Sequence, residues 1–369
     1  MLLTLLLYSF IAFSSVLVLY YLFGFSRFAF SKLSEKATQN ISISVIICAK
    51  NEAENLKKFL PFILKQKYPN FEIVLINDAS IDDTLEVMEQ FKAQHNHIKI
   101  VNVANNEAFW GNKKYALTLG IKASKNDYLL FIDADCKPAS ENWISSMSRH
   151  FNAQKKIVLG YGAYQKKKYS VLNSLIRFET LLTAIQYFSY AKCGNPYMGV
   201  GRNLAYHKDV FFASNGFINH MNIRSGDDDL FINENATGKN TAIEFSEESH
   251  TLSPAPQTFK EWVTQKRRHI STAKHYRYKD QFLLGLFYLS QVGFWALAIT
   301  LAITTYQWQL VALIFGIKLA IQYIVYGFSA KKLKEQNLII AIPFLEILLI
   351  VFQMFIFIKN SISKPVHWK

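Results

Sequence analysis

The stretch Tyr128-Leu129-Leu130-Phe131-Ile132-Asp133-Ala134-Asp135-Cys136 (YLLFIDADC) decides the fold class. It opens as an apolar run of strand length and ends in two aspartates separated by one alanine. Alternate residues leaving a strand share a facing, so Asp133 and Asp135 converge on one point. Carboxylates held that close repel unless a cation lies between them. A hard divalent ion such as Mg2+ or Mn2+ takes carboxylate oxygens and bridges to phosphate oxygens. A solvated Asx turn is the plainer use of an isolated D-x-D.

The neighbouring segments repeat the pattern. Ile41–Cys48 (ISISVIIC) reads as a first strand, followed by Asn51, Glu52 and a helix from Asn55. Phe71–Ile76 is a second strand, followed by Asp78 and a helix from about Asp83. Ile98–Val103 reads as the third strand, Tyr115–Ala123 as a helix and Tyr128–Ile132 as the fourth strand. Such alternation predicts a mostly parallel, Rossmann-like sheet with right-handed crossovers and ligands at the strands' carboxyl ends. Glu52, Asp78, Asp133 and Asp135 all fall at that edge. An ionised carboxylate there accepts from a ring N–H or a ribose hydroxyl. In Asn77–Thr84 (NDASIDDT), Asp78, Ser80 or Asp82 also suits an N-cap, and the two uses are compatible. Lys113 is placed to reach a diphosphate, or else lies on a solvated helix face.

Composition says what flanks this core. The 369 residues are 51% hydrophobic, with 30 Phe and 19 Tyr, yet carry a formal charge of +14. That combination suits a membrane protein facing anionic lipids or substrates. Leu2–Phe23 is uncharged and long enough to cross a bilayer; no basic residue precedes it and no small-residue cleavage site follows, against a cleaved signal peptide. Arg27, Lys32 and Lys36 follow it and place the next segment in the cytoplasm by the positive-inside rule. Phe282–Thr304, Leu310–Phe328 and Leu338–Ile358 read as further spans, with the basic loop Lys331–Lys334 also inside. The count puts Lys359, Lys364 and Lys369 outside unless Pro343 breaks the last span; both topologies stay open. Lys318 and Glu346 lie at depths within about 6 Å in oppositely running spans, which predicts that they pair, or that they contact a lipid headgroup or pyrophosphate reaching inward. Cys48, Cys136 and Cys193 have neither paired spacing nor clustered histidines, against a disulfide framework or zinc site. No aromatic-basic groove motif supports nucleic-acid binding.

The motifs in their order resemble the membrane-associated inverting glycosyltransferases of family 2, with a GT-A domain, such as cellulose synthases and ceramide glucosyltransferases. The resemblance rests on SVIICAKNEAENL (Ser44–Leu56), INDASIDDT (Ile76–Thr84), NKKYAL (Asn112–Leu117), FIDADC (Phe131–Cys136), SGDDDLFI (Ser225–Ile232) and QKRRH (Gln265–His269). It implies a nucleotide-sugar donor, commonly a UDP-sugar, and inversion at the anomeric carbon. By position Glu52 and Asp78 match nucleoside-contacting acids, Asp133 the diphosphate-side acid and Asp135 the metal ligand. SGDDDL stands where the family carries its catalytic base, and the alignment leaves Asp227 and Asp228 both open, with Asp229 starting the helix. Gln265 and Arg268 match a Q-x-x-R-W motif that holds the leaving diphosphate, and His269 replaces its Trp at the acceptor end. Thr258–Tyr276 is also basic and amphipathic enough to be an ordinary membrane-surface helix. Tyr169–Tyr190 reads as interfacial, and GVGRNLAY (Gly199–Tyr206) resembles the family's acceptor-side loop.

The expected organisation is an N-terminal span (1–25), a GT-A domain (41–255), an amphipathic segment (256–280) and C-terminal spans (282–358). The expected function is transfer of a sugar to a lipid or lipid-linked glycan acceptor at the cytoplasmic face of the cell membrane. A polysaccharide synthase subunit and a non-catalytic scaffold with a degenerate GT-A domain are the alternatives.

Overall fold

The computed structural model describes residues 1–33, 40–104, 113–223 and 225–363. Lys36, Asn112, Lys364 and Lys369 lie outside them. Contacts group the chain into two compact units. Among the described residues, one comprises Leu33–Lys166 and Gly194–Pro256; the other comprises Met1–Lys32, Lys167–Cys193 and 257–363.

In the first unit, β1 (Ile43–Ala49), α3 (Ala53–Leu64), β2 (Phe71–Asp78), α4 (Thr84–Gln94), β3 (Ile98–Val103), α5 (Lys113–Ala123) and β4 (Tyr128–Phe131) follow the expected alternation. Here α1 and α2 denote Leu2–Leu19 and Ser26–Ala29 of the other unit. The chain continues through β5 (Lys137–Pro138), α6 (Trp143–Ser148), β6 (Ile157–Leu159), β7 (Gly162–Tyr164), β8 (Leu204–His207), α8 (Lys208–Ala213), α9 (Asp229–Asn235), β9 (Thr241–Ile243) and β10 (Thr251–Ser253). The sheet has seven strands in the order β3-β2-β1-β4-β8-β6-β9. The β1–β4 strands pair in parallel, with Val45 beside Ile73 and Leu130. β8 runs antiparallel to both β4 and β6, and β6 pairs in parallel with β9. A second sheet, β5-β10-β7, has three strands. β1 is apolar along almost its whole length because both its faces are covered, as a central parallel strand requires.

Among the described residues, the second unit holds four helices long and apolar enough to cross a membrane: Leu2–Ala29, Tyr278–Thr304, Trp308–Lys332 and Gln336–Ile362. The first continues from α1 through a π-helical segment (Tyr20–Phe25) into α2. The other three carry α11 (Tyr278–Thr304), α12 (Trp308–Lys332) and α13 (Ile342–Ile362). Pro343 does not break α13; it sits in its first turn, where the missing N–H has no intrahelical partner to lose. The unit also contains α7 (Val171–Lys192) and α10 (Phe259–Ala273). On α7, Arg177 is buried and binds Glu335 and Asn337, and Glu179 pairs with Lys266 of α10 at 2.5 Å.

Lys318 of α12 and Glu346 of α13 meet at 3.2 Å, both almost fully buried. Glu346 also accepts from Gln291 (2.6 Å), Trp295 (3.1 Å) and Gln322 (3.1 Å). Lys318 donates to Gln322 at 2.8 Å and stands 4.3 Å from the Phe294 ring centroid. Each charge is thus enclosed by partners on α11, α12 and α13, which offset part of its desolvation cost.

Candidate active site

Asp133 and Asp135 come close, but through a turn after β4 and not by the alternation of an extended strand. β4 stops at Phe131, and the Cys136 N–H closes a turn on the Asp133 carbonyl at 3.0 Å. Ligand atoms of Asp133, Asp135 and Cys136 lie within 4.8 Å of one another. Burial, then the Asp133 charge, raises the Asp135 carboxyl above its usual range. Burial pushes the Cys136 thiol well up, and its Sγ donates to Asp135 Oδ1 at 3.3 Å. The two carboxylates supply oxygen donors, which fit a hard divalent cation.

The loops after β1 and β2 are laced together. Asn51 N donates to Ser80 Oγ at 3.0 Å, Ile81 N to Asn51 Oδ1 at 2.9 Å, and Glu52 N to Thr84 Oγ1 at 2.8 Å. The N-cap of α4 is Asp83, none of the three expected candidates, and it makes no side-chain cap hydrogen bond; Asp82, one residue earlier, accepts from Thr84 N on Oδ1 and from Ala53 N on Oδ2. Asp78 is therefore not spent as a cap. It is buried, its carboxyl is raised by that burial, and its Oδ2 has no hydrogen-bond partner among the described residues. An orphaned carboxylate oxygen at a ligand-facing strand end fits a hydroxyl or ring N–H donor from outside. Glu52 accepts from Asn55 Nδ2 at 2.5 Å.

Lys113 is no solvated helix lysine. Its Nζ bridges Asp133 (3.0 Å) and Asp227 (3.1 Å), and its side chain is 16% exposed. Burial pulls its pKa down, but Asp133 and Asp227 outweigh this and hold the ammonium well above the usual lysine value. The adjacent Lys114 is buried and donates to the carbonyls of His220 and Ile223 at 2.7 and 2.9 Å, anchoring the approach to the acidic cluster.

Within that cluster the two candidates differ. Asp227 is engaged by Lys113, whereas Asp228 Oδ2 accepts from Gly201 N at 2.6 Å and Oδ1 from Asp229 N at 2.7 Å. Burial, then Asp227 and Asp229, pushes the Asp228 carboxyl up to about 8 against the two backbone donors that favour its ionised form. Gly226 takes φ 95°, and an added Cβ would meet Leu230 at 2.5 Å; only glycine admits that bend before α9.

Gln265, Arg268 and His269 lie on α10, in the helical unit. Thr258 caps this helix by accepting from Glu261 N at 3.2 Å. Trp262 stacks on Phe352 at 3.7 Å with rings 1° from parallel. The motif's other two basic residues brace it: Lys266 pairs with Glu179, and Arg267 donates to Asn360 at 2.8 Å.

Sequence reasoning assigned no individual role to the turn Gly201–Asn203. Asn203 is fully buried; it accepts from Trp143 Nε1 at 3.0 Å and donates to the Tyr161 and Ser249 carbonyls at 2.9 and 2.7 Å. This fixes the turn whose first N–H holds Asp228. The Gly-Arg-Asn triplet just before a strand was the available signal.

Residues 44–212 match the family model "Glycosyl transferase family 2". The chain is 33% identical over 121 residues to a poly-beta-1,6-N-acetyl-D-glucosamine synthase of Staphylococcus epidermidis, covering 32% of this chain and 28% of that protein. It is 28% identical over 196 residues to the 4,4'-diaponeurosporenoate glycosyltransferase of Staphylococcus haemolyticus, covering 52% and 50%. The chain thus spans half or less of these relatives. A mannosyltransferase of Pyrobaculum calidifontis, solved with GDP-Man and Mn2+, superposes over 92% of this chain and 97% of its own at TM-score 0.59 and 16% identity, a likeness of fold. Residues 44–212 therefore carry the match to glycosyl transferase family 2, and the mostly parallel sheet with its acidic strand ends is GT-A-like in fold.

Proposed function

We propose that the protein is a membrane-bound inverting glycosyltransferase that moves a sugar from a nucleotide-sugar, foremost a UDP-sugar, to a lipid or lipid-linked acceptor at the cytoplasmic face. The observation that carries it is one acidic edge containing two different kinds of carboxylate. Ligand oxygens of Asp133 and Asp135 lie within 4.8 Å of each other, while Asp228 accepts from two backbone N–H groups. Glu52 and the orphaned Asp78 would take the nucleoside, Asp135 the metal, and Asp133 with Lys113 the diphosphate side. A bound Mg2+ or Mn2+ would neutralise the departing diphosphate.

In the transfer, the acceptor hydroxyl oxygen bonds to the anomeric carbon, and the bond from that carbon to the diphosphate oxygen breaks. The electron pair leaves with the nucleoside diphosphate, and the hydroxyl proton passes to Asp228 as general base. Asp227, tied to Lys113, orients the cluster. By resemblance alone, Gln265 and Arg268 act on the diphosphate and His269 at the acceptor end. The four long apolar helices support membrane attachment, and the basic residues Arg27, Lys32 and Lys331–Lys334 support a cytoplasmic domain. A polysaccharide-extending subunit is the second reading, favoured by the name of the Staphylococcus epidermidis relative.

Incubation of the purified protein in nanodiscs with UDP- and GDP-sugars, Mn2+ and a membrane lipid extract tests the proposal. Nucleoside diphosphate release coupled to one glycosylated lipid supports it; a ladder of lengthening products supports the polysaccharide reading. Absence of both donor binding and release at millimolar donor would sink it.

A further inference from the structure

Arg202 occupies a position that the transfer chemistry above does not use. It sits in the turn Gly201–Asn203, one residue from the N–H that holds Asp228. Its guanidinium lies 4.2 Å from the Tyr164 ring centroid, with Nη1 donating to Ser253 Oγ at 2.6 Å and Nη2 to the Gly162 carbonyl at 3.0 Å. The Arg202 carbonyl accepts from Thr251 at 3.0 Å, and Asn203 locks the turn from below. The cation is therefore aimed, not merely tethered.

Both protein oxygens it touches are neutral. Asp135 and Asp133 feel its charge, yet it forms no ion pair with either. A half-buried guanidinium pays for desolvation, and neutral oxygens repay little of that. Its remaining N–H groups make no hydrogen bond among the described residues. Planar, forked donors of this kind match phosphate and carboxylate oxygens.

We propose that Arg202 binds an anionic oxygen of the substrate pair between its guanidinium and the Asp133–Asp135 edge, so that the site is selective for a charged group there. This rests on the glycosyltransferase reading. The oxygen belongs either to the donor's diphosphate or to a phosphate or carboxylate on the acceptor. Tyr164 and Ser253 hold the guanidinium plane, and the anion completes its pairing.

The test uses the full chain in nanodiscs, with UDP and GDP plus Mn2+ as probes and calorimetry as readout, beside hydrolysis of the donor by water and transfer to lipid extract. Arg202→Gln removes the charge, Arg202→Lys keeps it, and Ser253→Ala removes a brace without touching it. A charge-assisted hydrogen bond lost at the diphosphate should weaken nucleoside diphosphate binding about ten- to a hundredfold in Arg202→Gln. Lysine should recover part of it. If the anion is on the acceptor, nucleotide affinity and donor hydrolysis stay at wild type while transfer falls by a similar factor. The inference is overturned if Arg202→Gln leaves nucleotide affinity, hydrolysis and transfer unchanged. It is equally overturned if Ser253→Ala reproduces the losses, since that marks a brace and not a binding group. Should the wild-type protein bind neither UDP nor GDP, the glycosyltransferase reading itself fails.

Discussion

Glu346 and Asp228 are both acids taken largely out of water, and their surroundings differ in kind. Glu346 has a donor for every direction: Gln291, Trp295, Lys318 and Gln322 surround it, and Lys318 is closed off in turn by Gln322 and the Phe294 ring. Both Glu346 oxygens are thus answered twice over among the described residues. At the sheet edge, Asp78 keeps an orphaned oxygen, Asp133 and Asp135 crowd each other, and Asp228 rises to about 8 despite two backbone donors. A protein tolerates such unspent polarity where a substrate completes it. Buried charge alone therefore does not mark a site; incompletely answered charge does.

The comparison breaks first at the acidic edge. Asp135→Asn substitutes a neutral, weaker oxygen at the expected metal ligand and should abolish Mn2+-dependent donor binding, read by calorimetry. Asp228→Asn should leave that binding near wild type and lower turnover by about 10²- to 10⁴-fold, because the base acts in the transition state. Equal loss of donor affinity in both variants would merge the base into the metal site and refute the division of roles.

In the helical unit the expected loss is of stability. Lys318→Met strands a carboxylate and should destabilise by about 3–5 kcal/mol, seen as a lower melting temperature in detergent. Pairing it with Glu346→Gln should restore most of the loss, since no net charge then remains unpaired. Charge reversal at both positions is a poorer probe: Trp295 can only donate, so a lysine at 346 would face an N–H. A double neutral variant no better than Lys318→Met would show that the pair is not what the cluster stabilises.

Next comes a pH effect at the base. Burial favours protonated Asp228, so at pH 7 roughly a tenth of it is ionised and able to accept a proton. Turnover with saturating donor should rise about tenfold per unit below pH 8 and level off above it. A profile flat from pH 6 to 9, with chemistry rate-limiting, would assign the proton acceptor elsewhere.

The parts of this comparison were unequally legible in the sequence. Apolar runs followed by polar or acidic residues announced β1, β2 and β4, because buried strands leave unbroken apolar stretches and strand ends leave polar groups. Ile98–Val103 matched β3 at both ends. β6, β8 and β9 are only three or four residues long and gave no period to read. Lys318 and Glu346 were legible as a pair because an apolar span makes any charge conspicuous. The choice between Asp227 and Asp228 was not, since neighbouring identical residues are told apart by Lys113 and by a backbone N–H of Gly201, and a backbone group has no letter. Arg202 escaped for the same reason: its partners are a hydroxyl and a carbonyl brought close only by folding.

The last expectation concerns His269, whose place rests on the Q-x-x-R-W resemblance. His269 lies on α10, whose register is fixed by the Lys266–Glu179 pair, the Arg267–Asn360 hydrogen bond and the Trp262–Phe352 stack. Replacing the ring therefore should not move the helix. If a planar ring is what the acceptor end needs, His269→Trp retains activity within a fewfold and His269→Ala loses transfer, with donor affinity unchanged in both. The measurement is the acceptor KM beside donor Kd for each variant, with the melting temperature as the control for α10 packing. A larger acceptor KM in the alanine variant, at unchanged donor Kd, places the ring against the acceptor. A weakened donor Kd in both variants would mean that position 269 answers to the diphosphate, shifting the motif's register by one residue onto the charge-binding face.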